Sequence, residues 1–130
     1  MNLRVRFVET DQMGVAHHSA YAIWFEAARV EWLRTRGLDY RRLEEAGVSL
    51  AVSAISVQYL KSSRFDDELF VATELTELKS RRARYSYVVY RGDERIATGE
   101  SLHTPVASDG RAVRLPKGWL EKLHPHVLRP

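Results

Sequence analysis

The 130-residue sequence carries a formal net charge of +3, is 45% hydrophobic and contains no cysteine. The lack of cysteine excludes disulfides, thiol nucleophiles and thiolate metal sites. No apolar run approaches the roughly 18 residues of a membrane span, and the first residues lack a signal-peptide core. We therefore expect one cytoplasmic domain over residues 1–130, without membrane insertion. Arginine outnumbers lysine and Asn2 is the only asparagine, a composition that hints at a heat-adapted source.

The first part of the chain predicts a strand followed by a long helix. Apolar and polar residues alternate over residues 3–9, which predicts the strand. The helix has Ser19 or His18 as its candidate N-cap and ends at Gly37. Its apolar residues recur at helical spacing and predict a buried face made of Tyr21, Trp24, Phe25, Ala27, Ala28 and Trp32.

The polar face of this helix and the segment after it predict only structural features. Glu26 and Arg29 are three residues apart, a spacing that favours an ion pair. Residues 39–47 predict a short polar helix that ends at a glycine.

From Val48 onward the apolar period changes from helical to alternating. Four alternating runs predict four strands, around residues 55–59, 69–75, 85–89 and 96–106. Residues 91–95 predict a hairpin turn, and residues 115–119 begin a short C-terminal helix. Consecutive strands with short links pair antiparallel, and one apolar helix packs across them, so the expected class is α+β. Part of such a sheet stays uncovered, so we expect an oligomer.

The link between the first strand and the long helix holds the best candidate for chemistry. Asp11 is in a loop that faces the helix N-terminus, where backbone N–H groups lack partners and the dipole is positive. A carboxylate beside free N–H groups is suited to acyl transfer, because one attacks and the others polarise the carbonyl. With no serine–histidine or cysteine arrangement evident, Asp11 is the candidate nucleophile or general base. Taken alone, an aspartate in such a loop is more often a turn residue.

Two segments carry a family resemblance: residues 7–21, FVETDQMGVAHHSAY, and residues 24–29, WFEAAR. Both resemble the hotdog-fold acyl-CoA thioesterases, and most closely the 4-hydroxybenzoyl-CoA thioesterases and the Tol–Pal-associated acyl-CoA thioesterases. The resemblance continues in the same order through residues 65–69, 79–82 and 110–116. It implies a hotdog fold, an antiparallel sheet of five to six strands wrapped around one long central helix. It also implies hydrolysis of an acyl-CoA by a homodimer or homotetramer, with neither a metal nor another cofactor.

The resemblance assigns roles residue by residue. Asp11 occupies the second acidic position of the motif and is the nucleophile or general base, while Glu9 occupies the first. The backbone N–H of His18 donates to the thioester carbonyl. Four further residues are expected at the substrate: Gly14, His17, Tyr21 and Tyr59. The expected ligands of the CoA phosphates are Lys79, Arg81 and Arg82. Two positions depart from the family pattern, since His17 replaces an aromatic residue and Ala20 an asparagine.

Three features also have plainer interpretations. A basic run at a strand start, such as residues 79–84, is usually a solvated edge that deters strand pairing. The adjacent His17 and His18 are expected to point apart, one packed and one at the pocket mouth, so a shared metal is not expected. His124 and His126 are expected in a solvated C-terminal tail.

Two rival functions compete with hydrolysis. A non-catalytic module that binds acyl-CoA has no use for a carboxylate beside an anionic ligand, so Asp11 argues against it. A nucleic-acid-binding domain would suit the positive charge. Its binding motifs are missing, however, and the aromatic residues occur at core spacing rather than among basic residues. We therefore expect no nucleic-acid partner.

Overall fold

The computed structural model describes residues 1–128, which form a five-stranded antiparallel sheet with α-helices. The strands are β1 (Asn2–Arg4), β2 (Val48–Tyr59), β3 (Glu68–Lys79), β4 (Arg82–Arg91) and β5 (Glu94–Ala107). The α-helices are α1 (His18–Thr35), α2 (Tyr40–Glu45) and α3 (Lys117–Leu123), and 3₁₀ turns cover Phe7–Glu9 and His124–His126. The strand order is β1-β3-β4-β5-β2, so β1 and β2 are the edges. Residues 129 and 130 of the predicted domain lie outside the described range.

Helix α1 packs along one face of the sheet, as the predicted α+β class requires. The Phe25 ring stacks on Tyr87 of β4, with centroids 4.3 Å apart and planes within 4°. Further along, the Trp32 ring meets Tyr85 edge-on at 5.6 Å. Each of these side chains is buried, and burying one large apolar side chain stabilises a fold by about 1.5–3 kcal/mol. The predicted helix is present and its aromatic residues are buried, but the prediction is wrong for Ala27, which is exposed because it lies beside the stripe that faces the sheet.

The sheet passes closest to α1 at Gly99 of β5. A Cβ atom at this position would lie 2.4 Å from Phe25 Cε2 and 2.9 Å from the Ser56 carbonyl oxygen. Both distances are shorter than real contacts of a Cβ atom. Glycine is required here for space, because any side chain would push Phe25 off Tyr87.

The predicted strand over residues 3–9 is wrong beyond Arg4. Residues 7–9 form a 3₁₀ turn, and Phe7 and Val8 are 77% and 80% exposed. The Glu9 carboxylate accepts the Arg6 backbone N–H at 2.8 Å and closes the turn. The apolar alternation predicts Val5 as buried but misses this local hydrogen bond.

The later elements follow the predictions with small differences. Helix α1 is capped by His17 rather than by Ser19 or His18, because the Ser19 N–H donates to His17 Nδ1 at 3.2 Å. Asp39 caps α2, within the predicted residues 39–47. All four later strands are present and longer than their predicted cores, and the C-terminal helix begins at Lys117. No helix among residues 1–128 has the length and hydropathy that a membrane span requires.

The C-terminal segment is docked rather than free. The Leu128 N–H donates to the Leu75 carbonyl at 2.7 Å, and Val127 bridges Leu75 in parallel. His124 and His126 are exposed as expected, but the prediction of a solvated tail is wrong for the backbone. Val127 packs partly against the core and anchors the segment along β3.

A chain of buried polar side chains lies beneath α1. The Arg29 guanidinium donates to the Tyr87 hydroxyl at 3.3 Å, which is 2.6 Å from the Ser101 hydroxyl. Ser101 Oγ is in turn 2.7 Å from His103 Nε2. The predicted ion pair between Glu26 and Arg29 is wrong, since Arg29 is buried toward the sheet and Glu26 is exposed. Burial, and then the charge of Arg29, lower the pKa of His103 to about 4.

We expect His103 to make the fold less stable as the pH falls from 7 to 5. In the unfolded chain its pKa is about 6.5, so between pH 6.5 and pH 4 the unfolded state binds a proton that the folded state excludes. This difference removes about 2 kcal/mol of the free energy of unfolding by pH 5. Urea unfolding at both pH values measures the loss. The loss in His103→Gln should be smaller by about 2 kcal/mol, and equal losses would contradict the assignment.

Candidate active site

The Asp11 loop, residues 10–16, is a short closed turn between the 3₁₀ turn and α1. Thr10 and Ala16 bridge at its neck, and the Asp11 N–H donates to the Val15 carbonyl at 2.8 Å. The Gly14 N–H donates back to the Asp11 carbonyl at 3.0 Å, and Gly14 has a φ of +75°. That left-handed conformation favours glycine, so Gly14 lets the chain reverse immediately after Asp11.

The two oxygens of the Asp11 carboxylate have different surroundings. Oδ1 accepts the backbone N–H groups of Met13 at 2.8 Å and Val15 at 3.2 Å. Oδ2 accepts no hydrogen bond from residues 1–128, and the side chain is exposed. One oxygen therefore holds the loop in shape while the other remains available to a substrate.

The N-terminus of α1 follows directly after the loop. His18 is the first helical residue, and no hydrogen bond within residues 1–128 uses its N–H as the donor. The unpaired N–H groups and the dipole give this end of a helix a partial positive charge. A developing carbonyl oxyanion is the kind of group that this position stabilises.

A surface pocket of about 300 Å³ lies against this helix end. Its lining is mostly apolar and aromatic: Val15, Ala16, His18, Tyr21, Tyr59, Leu60, Lys61 and Ser62. The Tyr59 hydroxyl donates to the His18 carbonyl at 2.9 Å, and the Tyr21 and Tyr59 rings meet edge-on at 5.0 Å. Asp11 adjoins the pocket through its hydrogen bonds with Val15. Burial raises the pKa of Tyr21 and of Tyr59, so both hydroxyls are neutral near pH 7.

The structure brings together some of the predicted substrate residues but not all. His18, Tyr21 and Tyr59 share the pocket, whereas Gly14 and His17 are not among its lining residues. The expectation that the two histidines point apart is wrong. Their ring centroids are 4.0 Å apart and both side chains are exposed, because the His17 ring folds back to cap α1. Contact of Gly14 or His17 with a substrate stays a prediction.

The predicted phosphate ligands lie at the other end of the sheet. Lys79 ends β3, Arg81 is in the turn, and Arg82 begins β4, where its Nε is 2.6 Å from a Glu77 carboxylate oxygen. The distance between this turn and the pocket can be counted along β5. Ala97 of β5 pairs with the pocket residue Tyr59, and His103 of β5 pairs with Ala83, which is next to the turn. Six residues of strand span about 20 Å. One chain alone therefore does not bring its basic turn to its own Asp11.

Two further residues shape the site and had no assigned role in the sequence. Glu9 is buried beneath the loop, where its Oε2 accepts the Trp24 indole N–H at 2.8 Å. Ser63 is fully buried, its hydroxyl is 2.9 Å from the Tyr21 hydroxyl, and its carbonyl accepts the Ala16 N–H at 2.8 Å. The acidic motif marks Glu9 as part of the pattern, although not as buried. No sequence signal points to Ser63.

Comparison with known proteins finds relatives that are named as esterases or thioesterases. A protein of Aquifex aeolicus named as an esterase is 36% identical over 120 residues, which are 92% of this chain and 93% of that protein. The acyl-CoA thioesterase YbgC of Haemophilus influenzae is 37% identical over 78 residues, 59% of this chain and 57% of its own length.

Solved structures with a similar fold match nearly the whole of this chain. TT1821 from Thermus thermophilus is 38% identical, with a TM-score of 0.93 over 99% of this chain and 97% of that one. A DHNA-CoA thioesterase from Staphylococcus aureus is 28% identical, with a TM-score of 0.92 over 96% of this chain and 87% of that one.

The family model described as the thioesterase-like superfamily matches residues 5–123. This match spans nearly the whole chain and contains the Asp11 loop, α1 and the strands β2 to β5. The resemblance predicted from the motifs is confirmed, and the chain belongs to the thioesterase-like superfamily.

Proposed function

We propose that this chain hydrolyses the thioester of an acyl-CoA to the free acid and CoA, as a cytoplasmic enzyme of the hotdog fold. The observation that carries the proposal is the arrangement around Asp11. Its Oδ2 is free of hydrogen bonds from the described residues, and the loop leads directly to the unengaged N–H of His18 beside an aromatic pocket. The thioesterase names of relatives that share this fold support the same activity.

Two chemical routes fit this arrangement. In the first, Asp11 Oδ2 attacks the carbonyl carbon, the carbon–sulfur bond breaks, and CoA leaves as a thiolate that is protonated by solvent. Water then hydrolyses the mixed anhydride to the free acid and restores Asp11. In the second route, Asp11 takes a proton from the attacking water and returns it to the leaving thiolate. In both routes negative charge develops on the carbonyl oxygen, where the His18 N–H donates.

We further propose a homodimer or a tetramer built from such dimers, in which edge strand β2 pairs with its copy. The 12 residues of β2 contain no charged residue or proline, the features that usually protect an edge. Val52, Ile55 and Tyr59 are 46–52% exposed along this strand. Antiparallel pairing through a two-fold axis would extend the sheet and cover these apolar side chains.

The same dimer accounts for the distant basic turn. Antiparallel pairing of β2 sets the Tyr59 end of one copy beside the Val48 end of the other. Because residues 79–82 lie at the Val48 end of the sheet, the partner's basic turn would approach this chain's Asp11 loop. A guanidinium on that turn suits the phosphates of a CoA whose thioester is at Asp11.

The function is tested by thiol release from a panel of short, long and aromatic acyl-CoAs. Turnover of at least one member supports the proposal and ranks the acyl group. If no member is hydrolysed while CoA still binds, the chain is a non-catalytic acyl-CoA-binding module and the proposal fails. Binding of single-stranded DNA in place of CoA would contradict both interpretations.

We expect Arg81→Ala to raise the KM for the preferred acyl-CoA about tenfold and to change kcat by less than about twofold, because a lost phosphate contact weakens binding of ground and transition states alike. Steady-state kinetics measure both constants. Arg34→Ala removes the same charge from the exposed side of α1 and should leave KM unchanged. An unchanged KM in Arg81→Ala would remove the assignment.

A mixing experiment asks which copy supplies Arg81. A dimer of one Asp11→Asn chain and one Arg81→Ala chain contains one intact site if Arg81 acts across the interface. Random pairing of equal amounts of the two variants makes about half of the dimers heterodimers, so refolding them together should yield about a quarter of the wild-type activity per dimer with the wild-type KM. A KM that stays at the Arg81→Ala value would place Arg81 in the same chain as the Asp11 it serves.

A further inference from the structure

We propose that Glu9 is a positioning residue, which holds the Asp11 loop at a fixed separation from the N-terminus of α1. This inference rests on the proposed function, in which Asp11 and the His18 N–H act on one carbonyl group. Glu9 itself lies beneath the loop, only 7% exposed, and is not among the pocket-lining residues.

The Glu9 carboxylate is held by three donors. Oε1 accepts the Arg6 backbone N–H at 2.8 Å, while Oε2 accepts the Trp24 indole N–H at 2.8 Å and the Arg6 guanidinium at 3.1 Å. Burial works to raise the pKa of Glu9, but these hydrogen bonds outweigh it and lower the pKa below its ordinary value. Glu9 is therefore an ionised carboxylate with little exposure of its own, bound on one side by the buried Trp24 indole and on the other by the exposed Arg6.

Glu9 is tied to α1 at two separate points. Its carbonyl accepts the His17 N–H at 2.7 Å, directly before the His18 N–H. Its carboxylate binds Trp24, which is six residues further along the helix and packs against Tyr21 with ring centroids 4.5 Å apart. Two points of attachment fix both the distance and the orientation of the chain that leaves Glu9. Asp11 follows only two residues later, so the short backbone segment between them leaves the reacting carboxylate little freedom to move.

Catalytic geometry explains why such a restraint matters. A misplacement of about 1 Å can lower the rate of a positioned reaction by about 100-fold. Without the Glu9 carboxylate, the buried Trp24 indole N–H loses its acceptor, and the neck of the loop must shift to let water reach it. This shift moves Asp11 relative to the His18 N–H without touching the groups that bind the substrate.

The test compares Glu9→Gln, Glu9→Ala and Trp24→Phe in the full-length protein. We expect kcat to fall about 100-fold in Glu9→Ala and about tenfold in Trp24→Phe, with KM within about threefold of wild type in both. Glu9→Gln should lie between them, because its amide keeps one acceptor but presents a donor to Trp24 or Arg6. The double variant Glu9→Gln/Trp24→Phe should be no slower than Glu9→Gln alone, since both changes remove the same hydrogen bond.

The matched control is Glu68→Gln, an exposed carboxylate that pairs with Arg4 at the same end of the sheet. It should keep the wild-type kcat. Circular dichroism sets a working temperature at which every variant is folded. If Glu9→Ala does not fold, the proposal is tested by comparing kcat of Glu9→Gln, Trp24→Phe and their double variant. Wild-type kcat in folded Glu9→Gln, or strictly multiplicative losses in the double variant, would overturn the proposal.

A second measurement separates this proposal from the proposed function. Amide hydrogen exchange over residues 10–18 should be faster in Glu9→Gln and Trp24→Phe than in wild type and Glu68→Gln. This comparison needs no turnover, so it applies even if wild type hydrolyses no acyl-CoA. Unchanged exchange together with an active wild type would reject the role of Glu9 and leave the proposed function standing.

Discussion

Replacement of Asp11 by asparagine should lower kcat at least about 10³-fold and leave KM within about threefold of wild type. The amide oxygen of asparagine can still accept the Met13 and Val15 N–H groups, so the Asp11 loop keeps its shape. The other oxygen becomes an NH₂ group, which is neither a nucleophile nor a base at neutral pH. The variant therefore removes the chemistry and preserves the scaffold. Thiol-release kinetics on the preferred acyl-CoA measure the effect.

The matched control is Asp66→Asn, at an exposed turn position with a φ of +69° that asparagine tolerates. It should retain the wild-type kcat. Thermal unfolding of both variants checks that the fold is intact. If folded Asp11→Asn kept more than a tenth of the wild-type kcat, Asp11 would be neither the nucleophile nor the general base.

Replacement of Gly99 by alanine should lower the free energy of unfolding by about 3 kcal/mol, the upper part of the range for overpacked cores. The new methyl group would overlap Phe25 and the Ser56 carbonyl, and the second neighbour is backbone in a paired strand. Phe25 cannot retreat without breaking its stack on Tyr87. Urea unfolding, compared at equal m-value, measures the loss.

Two companion variants sharpen this test. Gly118→Ala adds the same methyl group in α3, where no atom of residues 1–128 beyond the adjoining helix backbone lies within 4 Å of it, and should be neutral or stabilising by up to about 1 kcal/mol. Adding Phe25→Leu to Gly99→Ala relieves the contact with the ring but not the one with Ser56, so the rescue should be partial. A loss below about 1 kcal/mol in Gly99→Ala would show that the sheet and α1 are more loosely packed than the distances indicate.

The sequence predicts the elements whose residues interact locally. Strands β2 to β5 follow from alternating side chains, and α1 follows from apolar residues at helical spacing, because both patterns reflect burial against one neighbouring layer. The 3₁₀ turn over residues 7–9 is not predicted, because apolar alternation does not register the Glu9 carboxylate, which closes the turn on the Arg6 N–H and also accepts the Trp24 indole N–H from 15 residues away. Spacing predicts Glu26 as the partner of Arg29, yet Arg29 donates to the Tyr87 hydroxyl on β4.

The same distinction between local and distant interactions applies to the candidate site. Asp11 and His18 are neighbours in the sequence, so the loop and the helix N-terminus were predictable together. The position of the basic turn was not, because it depends on the strand order β1-β3-β4-β5-β2. Only this order reveals that Lys79 and Arg81 lie about 20 Å along the sheet from the Tyr59 end. A family motif transfers the identity of such residues but not the copy of the chain that supplies them.

The two amides that hold Asp11 Oδ1 have a consequence for the regiochemistry of the nucleophilic route. A mixed anhydride has two carbonyl carbons, one from the acyl group and one from Asp11. If Oδ2 forms the anhydride, Oδ1 becomes the carbonyl oxygen on the aspartyl side and keeps the Met13 and Val15 N–H groups as donors. Those donors would stabilise a tetrahedral intermediate at the aspartyl carbon. Water would then attack the protein side of the anhydride, and its oxygen would remain in Asp11 while the acid leaves.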